Sequence, residues 1–231
     1  MNTKLDLSII EKVVYINLKK RSDRNESILN QLRAVDVSYD KIVRFEAIES
    51  SPGYIGCAKS HQAALTLAFN ENWENVLIIE DDTAFNLDEE SICRANNFLN
   101  MLKTTVWDVA MLAANYYKVD TFNYSNSFLK VNMAHCASAY IVNKKYYEIL
   151  LDNFNASVKK LEEGQPPVSC AIDAHWFSLM RRDKWFGIHP CLCFQSAGNS
   201  DIQNCYCNFE HLFHKPLETI AEGTYCPESA H

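Results

Sequence analysis

The sequence predicts an α/β protein in which a mostly parallel sheet is flanked by helices and followed by an irregular C-terminal portion. Three observations lead there. Two short apolar runs, Val13-Val14-Tyr15-Ile16-Asn17-Leu18 and Val76-Leu77-Ile78-Ile79, each stop abruptly at charged residues, as buried strands do. Strand-like and helix-like stretches alternate over the first two thirds of the chain. With 231 residues at 48% hydrophobic content, there is enough apolar material for one substantial core.

The first strand, Val13–Leu18, runs into a basic turn, Lys19-Lys20-Arg21. Asp23 with Glu26 three residues on resembles a capping box that opens a helix, and Ile28, Leu29, Leu32 and Val35 supply its apolar face. A second strand is expected over Lys41–Ala47, a turn at Ser50-Ser51-Pro52-Gly53, and a long helix from Gly56 to Asn72. Val76–Ile79 is then a central parallel strand. A polar helix over Leu87–Lys103 and strands over Trp107–Leu112 and Ala137–Val142 complete the alternation, which right-handed crossovers would connect. From Gln165 onward, with Pro166-Pro167 at its start, no regular pattern is evident. The whole chain, 1–231, reads as one domain, with 1–112 as a ligand-binding part and 113–231 as a second part.

A net charge of −7 leaves no broad positive field, so nucleic acid is not an expected partner. A small anion held by a local basic turn or a metal remains compatible. Met1–Asp6 lacks the apolar run of a signal peptide, and no stretch approaches the ~20 apolar residues of a membrane span, which predicts a cytoplasmic protein without a transmembrane segment. Nine cysteines are an odd count and fit free thiols better than a disulfide framework. Cys57, Cys93, Cys136 and Cys170 read as buried. Cys191/Cys193 and Cys205/Cys207 with His211, His214 and Cys226 could hold zinc, but Cys-x-Cys is not the usual Cys-x-x-Cys knuckle, so unliganded thiols are preferred.

Four segments carry chemistry. Glu80-Asp81-Asp82 closes the apolar strand. Strand alternation puts Glu80 and Asp82 on one side and Asp81 on the other, and a divalent cation would relieve their mutual repulsion. A solvated acidic turn opening a helix is an equal reading of the triplet alone. In Asn17–Arg24, Arg21 or Arg24 could bind phosphate bidentately beside a helix N-terminus, although an ordinary charged turn is the simpler reading. Gly56-Cys57-Ala58-Lys59-Ser60-His61 opens a helix with small residues, and His61 there reads as a hydrogen-bonded core residue. Lastly, Asp173 is a base, a metal ligand or a helix cap, Trp176 could stack on a sugar, and Gln195–Asp201 is a late polar segment.

Taken in order, these segments resemble glycosyltransferase family 25, which contains bacterial lipooligosaccharide glycosyltransferases and collagen hydroxylysine galactosyltransferases. The matching residues are Ile16-Asn17-Leu18 with Arg21, Asp23 and Arg24; Gly56-Cys57 with Ser60-His61; and Ile78 to Asp82. Weaker matches are Ala139 to Val142, Asp173, and Gln195 with Ser200-Asp201-Ile202. The resemblance implies a GT-A-like (Rossmann-like) fold, a UDP-sugar donor, and Mn²⁺ or another divalent cation such as Mg²⁺. It further implies donor contacts from Asn17, Leu18, Arg21, Arg24, Ser60, Glu80, Asp81 and Gln195, metal ligation by Glu80 and Asp82, and Asp173 as the base that takes the acceptor proton. The expected reaction moves a hexose, galactose or glucose, onto a hydroxyl of a glycan or of hydroxylysine in a collagen-like protein. A non-catalytic GT-A-like module that binds sugars or a partner is the alternative.

Overall fold

The computed structural model describes residues 4–226; residues 1–3 of the N-terminal stretch read above lie outside them. β1 (Lys12–Asn17) leads to α1 (Ser22–Ala34), β2 (Ile42–Glu46), α2 (Gly53–Asn70), β3 (Asn75–Glu80), β4 (Thr83–Phe85) and α3 (Glu89–Thr104). A long hairpin follows, β5 (Val109–Phe122) and β6 (Ser125–Asn143), then α4 (Tyr147–Glu162) and the short helices α5 (Pro167–Cys170), α6 (Ile172–His175) and α7 (Phe177–Arg182). β7 (Trp185–Ile188), β8 (Cys193–Gln195), β9 (Gly198–Ser200), β10 (Cys205–Cys207) and β11 (Ala221–Tyr225) complete the chain.

Seven strands form one sheet in the order β11-β5-β7-β6-β3-β1-β2. Its neighbours run parallel except where β6 lies antiparallel to β3, to β7 and to its hairpin partner β5. The expected mostly parallel sheet is present, and β3 is parallel to β1 on one side but antiparallel to β6 on the other. β1 and β3 are buried almost throughout, which is why their sequences are continuously apolar rather than alternating.

The helices stop where the chain can turn left-handed. Asp36 (φ 61°) and Asn72 (φ 59°) follow α1 and α2. Val37 and Trp73 then donate their amides back to Leu32 and Ala68 carbonyls, the six-residue closure that satisfies orphan carbonyls at a helix end. α3 starts at Asp88, whose side chain accepts from the Ser91 amide at 2.9 Å, a regular N-cap. The expected capping box at Asp23 does not form. α1 begins two residues earlier, with Arg21 in the capping place and no side-chain cap, because Arg21 itself pairs with the Asp23 carboxylate at 2.8 Å.

Three further expectations change. The strands expected at 107–112 and 137–142 are parts of the much longer β5 and β6, so the boundary between 112 and 113 falls inside a strand. β7, in the region expected to be irregular, is a fully buried strand that pairs with the start of β5 on one side and with Phe128–Lys130 of β6 on the other. Cys170 is buried, but Cys93 is exposed and Cys57 and Cys136 are only partly covered. Among the described residues no helix is long and apolar enough to cross a membrane.

Candidate active site

A cleft of about 430 Å³ opens beyond the C-terminal ends of β1 and β3, the end at which open α/β sheets receive ligands, and its size suits a small-molecule ligand. Its walls come from the ends of β1 and β3, the loop before α2, the first turns of α2, and residues 195–209. Gly56 is needed at the α2 wall: a Cβ there would meet the Ile48 carbonyl at 2.4 Å. One turn on, Ser60 donates to the Gly56 carbonyl (2.7 Å) and accepts from the Ile48 amide (2.8 Å). Ser60 therefore shapes the loop as it lines the cleft.

The acidic triplet forms the floor, but not with the expected alternation. β3 ends at Glu80, so the strand rule does not carry on to Asp81 and Asp82. Both reach the same Nη1 of Arg24, at 3.0 and 2.9 Å. Asp81 also accepts from Asn17 Nδ2 at 2.7 Å. Asp82 accepts from Gln195 Nε2 at 3.1 Å, a neighbour supplied by the antiparallel pairing of β4 with β8. Burial raises the Asp81 carboxyl above its usual range. Burial, and then the charge of Glu80, push Asp82 up to about 7. Asp82 Oδ1 is buried without a hydrogen-bond partner. A buried carboxylate with an orphaned oxygen beside a second carboxylate is a hard-oxygen donor set that a divalent cation such as Mn²⁺ or Mg²⁺ fits.

Glu80 faces α2. Its Oε1 lies 3.4 Å from His61 Nε2 and 3.9 Å from Cys57 Sγ. His61 is buried as expected, with Nδ1 2.9 Å from the Tyr140 hydroxyl. Burial, and then the Glu80 charge, hold the Cys57 thiol well above its ordinary pKa.

Several expected donor residues act from behind. Asn17 is fully buried. Its amide donates to Arg21 O and Asp81, and its Oδ1 accepts from Arg44, so it holds Asp81 in place from outside the cleft wall. Arg21 is taken up by Asp23, Asp201 and the Asn199 carbonyl. Leu18, Arg24 and Gln195 do line the cleft.

Asp173 does not line the cleft. It accepts from the Cys136 amide at 3.0 Å and lies 3.6 Å from His135 Nδ1. Although burial opposes it, His135 and that amide keep the carboxyl below its ordinary range. Trp176 cannot stack on a sugar: it is fully buried, donating to the Ala134 carbonyl and packed on Tyr140 and Trp185. Cys191 and Cys193 are buried, whereas Cys205 is exposed and Cys207 lines the cleft, their sulfurs 3.6 Å apart. Among the described residues the mixed metal-donor group that does assemble is Cys57, His61 and Glu80.

Sequence reasoning did not anticipate that Arg21 and Arg24 meet residues some 175 positions later, nor that Ile202 and Phe209 wall the cleft. Ile202, exposed and apolar in a polar segment, was the available signal.

Residues 46–161, half of the chain, match the sequence profile described as glycosyltransferase family 25 (LPS biosynthesis protein). No curated protein matches the chain significantly. Among solved structures, A197 from STIV aligns over 85% of this chain and 93% of its own, at 10% identity and a TM-score of 0.46. Mannose-1-phosphate geranyltransferase from Thermus thermophilus aligns over 81% and 74%, at 10% identity and a TM-score of 0.43. A UDP-glucose pyrophosphorylase complexed with UDP-glucose aligns over 77% and 72%, at 14% identity and a TM-score of 0.42.

Proposed function

From the premise that this chain belongs to glycosyltransferase family 25 and is a glycosyltransferase, we propose that it transfers a hexose, galactose or glucose, from a UDP-sugar to a hydroxyl of a glycan, with a divalent cation of the Mn²⁺ class. The observation that carries this reading is Asp82: a buried carboxylate with one orphaned oxygen, beside Glu80, on the floor of a cleft at the ends of parallel strands. Glu80 and Asp82 would hold the ion, which offsets diphosphate charge as UDP departs. Arg24 and Gln195 contact the donor side, with Leu18 and Ile48 as apolar wall against the base.

In the transfer, the acceptor oxygen forms a bond to the sugar's anomeric carbon as the bond from that carbon to UDP breaks. The acceptor proton goes to a carboxylate, for which Asp173 is the proposed base. It lies outside the cleft wall, and its charge is one of those that raise the Cys57 thiol, which does line the cleft.

The test is calorimetric titration of UDP with and without Mn²⁺, followed by UDP-release assays with UDP-galactose, UDP-glucose and UDP-N-acetylglucosamine. A glycan acceptor and a hydroxylysine peptide are compared in parallel. Metal-dependent UDP binding, lost along with transfer in a folded Asp82→Ala protein, is expected. Near-normal transfer by that variant would overturn the carboxylate assignment, and UDP binding indifferent to metal would overturn the metal dependence.

A further inference from the structure

We infer that Cys57, His61 and Glu80 form a binding site for a borderline-soft divalent cation, Zn²⁺, distinct in chemistry from the all-oxygen site proposed above, with which it shares Glu80. The three residues arrive together for simple reasons. Cys57 and His61 are four apart on α2 and therefore share a face, and Glu80 ends the strand against which that face packs. Their ligand atoms lie within 4.8 Å of one another.

The spacing is close to what the ion needs. Zinc bonds of about 2.0–2.3 Å arranged tetrahedrally set ligand-to-ligand edges of roughly 3.3–3.8 Å. His61 Nε2 to Glu80 Oε1 is 3.4 Å, and Cys57 Sγ to Glu80 Oε1 is 3.9 Å. Both of these edges lie within a few tenths of an ångström of the tetrahedral values, and neither is a tight hydrogen bond that an ion would have to break.

The support behind the ligands is also present. The Tyr140 hydroxyl oxygen, 2.9 Å from His61 Nδ1, can accept a hydrogen bond from a proton kept on that nitrogen and leave Nε2 free to ligate, a support of the kind found behind most metal-bound imidazoles. Tyr140 is itself fully buried, so the ring is fixed. All three ligands border the cleft, which leaves a fourth position for water or a ligand. Thiolate and imidazole select Zn²⁺ over Mn²⁺ or Mg²⁺. Glu80 belongs to both donor sets, so the two kinds of ion contend for one side chain.

Cobalt is the probe, because a thiolate bound to Co²⁺ gives a near-ultraviolet charge-transfer band that oxygen and nitrogen ligands do not. The full chain titrated with Co²⁺ should develop that band at one ion per chain, and Zn²⁺ should abolish it. The band should persist in a Cys205→Ser/Cys207→Ser double variant, which removes the other thiol pair, one member of which also lines the cleft. It should vanish in Cys57→Ser and in His61→Gln, with circular dichroism confirming that each is folded. Tyr140→Phe should keep the band but weaken Zn²⁺ binding by about 10–100-fold. A wild-type chain without the band, a band that survives Cys57→Ser, or one lost with the Cys205/Cys207 pair would overturn the proposal. Mn²⁺-dependent UDP binding is measured separately, so failure of either reading leaves the other's readout intact.

Discussion

Arg24 and Asp82 are tied together at 2.9 Å, yet their removal should have unequal consequences. Arg24→Ala leaves two buried carboxylates without a counter-ion, and breaking a buried pair in this way costs about 3–5 kcal/mol. Partial protonation of Asp82, already at about 7, relieves some of that. Asp82→Ala instead removes a desolvated charge with one unsatisfied oxygen and should be close to neutral in urea unfolding. Equal destabilisation by both would contradict the network. Asp173 offers a cleaner functional contrast, since Asp173→Asn keeps an oxygen for the Cys136 amide. Turnover should fall about 10²–10⁴-fold, the typical worth of a general base, while metal-dependent UDP binding survives; if binding is lost instead, Asp173 is a ligand. Lys130 shows the same physics in the core. It is buried, donates to the Val131 and Met180 carbonyls, and burial lowers it to about 8. The unfolded chain then binds the extra proton between pH 8 and about 10.5, so this lysine's penalty is full below 8 and fades as pH rises through that window. The stability gap between Lys130→Met and wild type should accordingly narrow by up to about 3 kcal/mol from pH 8 to 10.5; a constant gap would mean Lys130 is not depressed.

At the scale of elements, β7 is the sensitive piece. Gly187 sits where a Cβ would lie 2.4 Å from the Tyr116 hydroxyl, and Tyr116 is buried, so Gly187→Ala should cost about 1–3 kcal/mol in thermal unfolding. Gly164, with open space around it, is no such sterically closed position, although its φ of 79° favours glycine. The contrast with the sequence reading lies here. β1, α1 and β3 were legible because each announces itself locally, by an apolar run or a 3.6-residue periodicity. β7 was not, since Trp-Phe-Gly-Ile is too short to show a period, and what makes it a strand is pairing with residues more than fifty positions earlier. β5 and β6 were seen only at their apolar halves. Their outer halves carry Asn115, Lys118, Asn132 and His135 and break the pattern with repeated register shifts. In the candidate site, the acidic triplet and Arg24 were legible as types of residue. That Asn17 spends itself on Asp81, or that Arg21 is neutralised by Asp201, depends on distances no spacing encodes.

For the molecule as a whole, the cleft is completed from far along the chain. Arg21 and Arg24, at the start of α1, both hold the Asn199 carbonyl, and Arg21 also holds Asp201. Residues 195–209 thus rest on the cleft through a few polar links at its rim. Asp201→Ala should raise amide hydrogen exchange in Gly198–Cys207 severalfold while β1 and β3 keep their protection; unchanged exchange would show that apolar contacts from Ile202 and Phe209 hold the segment unaided. The position of β7 has a wider consequence. Inserted between the beginning of β5 and the beginning of β6, it plugs a slot that the hairpin cannot close by itself. The stretch matched by the family profile, 46–161, stops before that plug and starts after β1, the parallel partner of β3. Expressed alone, 46–161 would therefore display unpaired strand edges and should aggregate. The matched stretch and the folding unit divide this chain at different places.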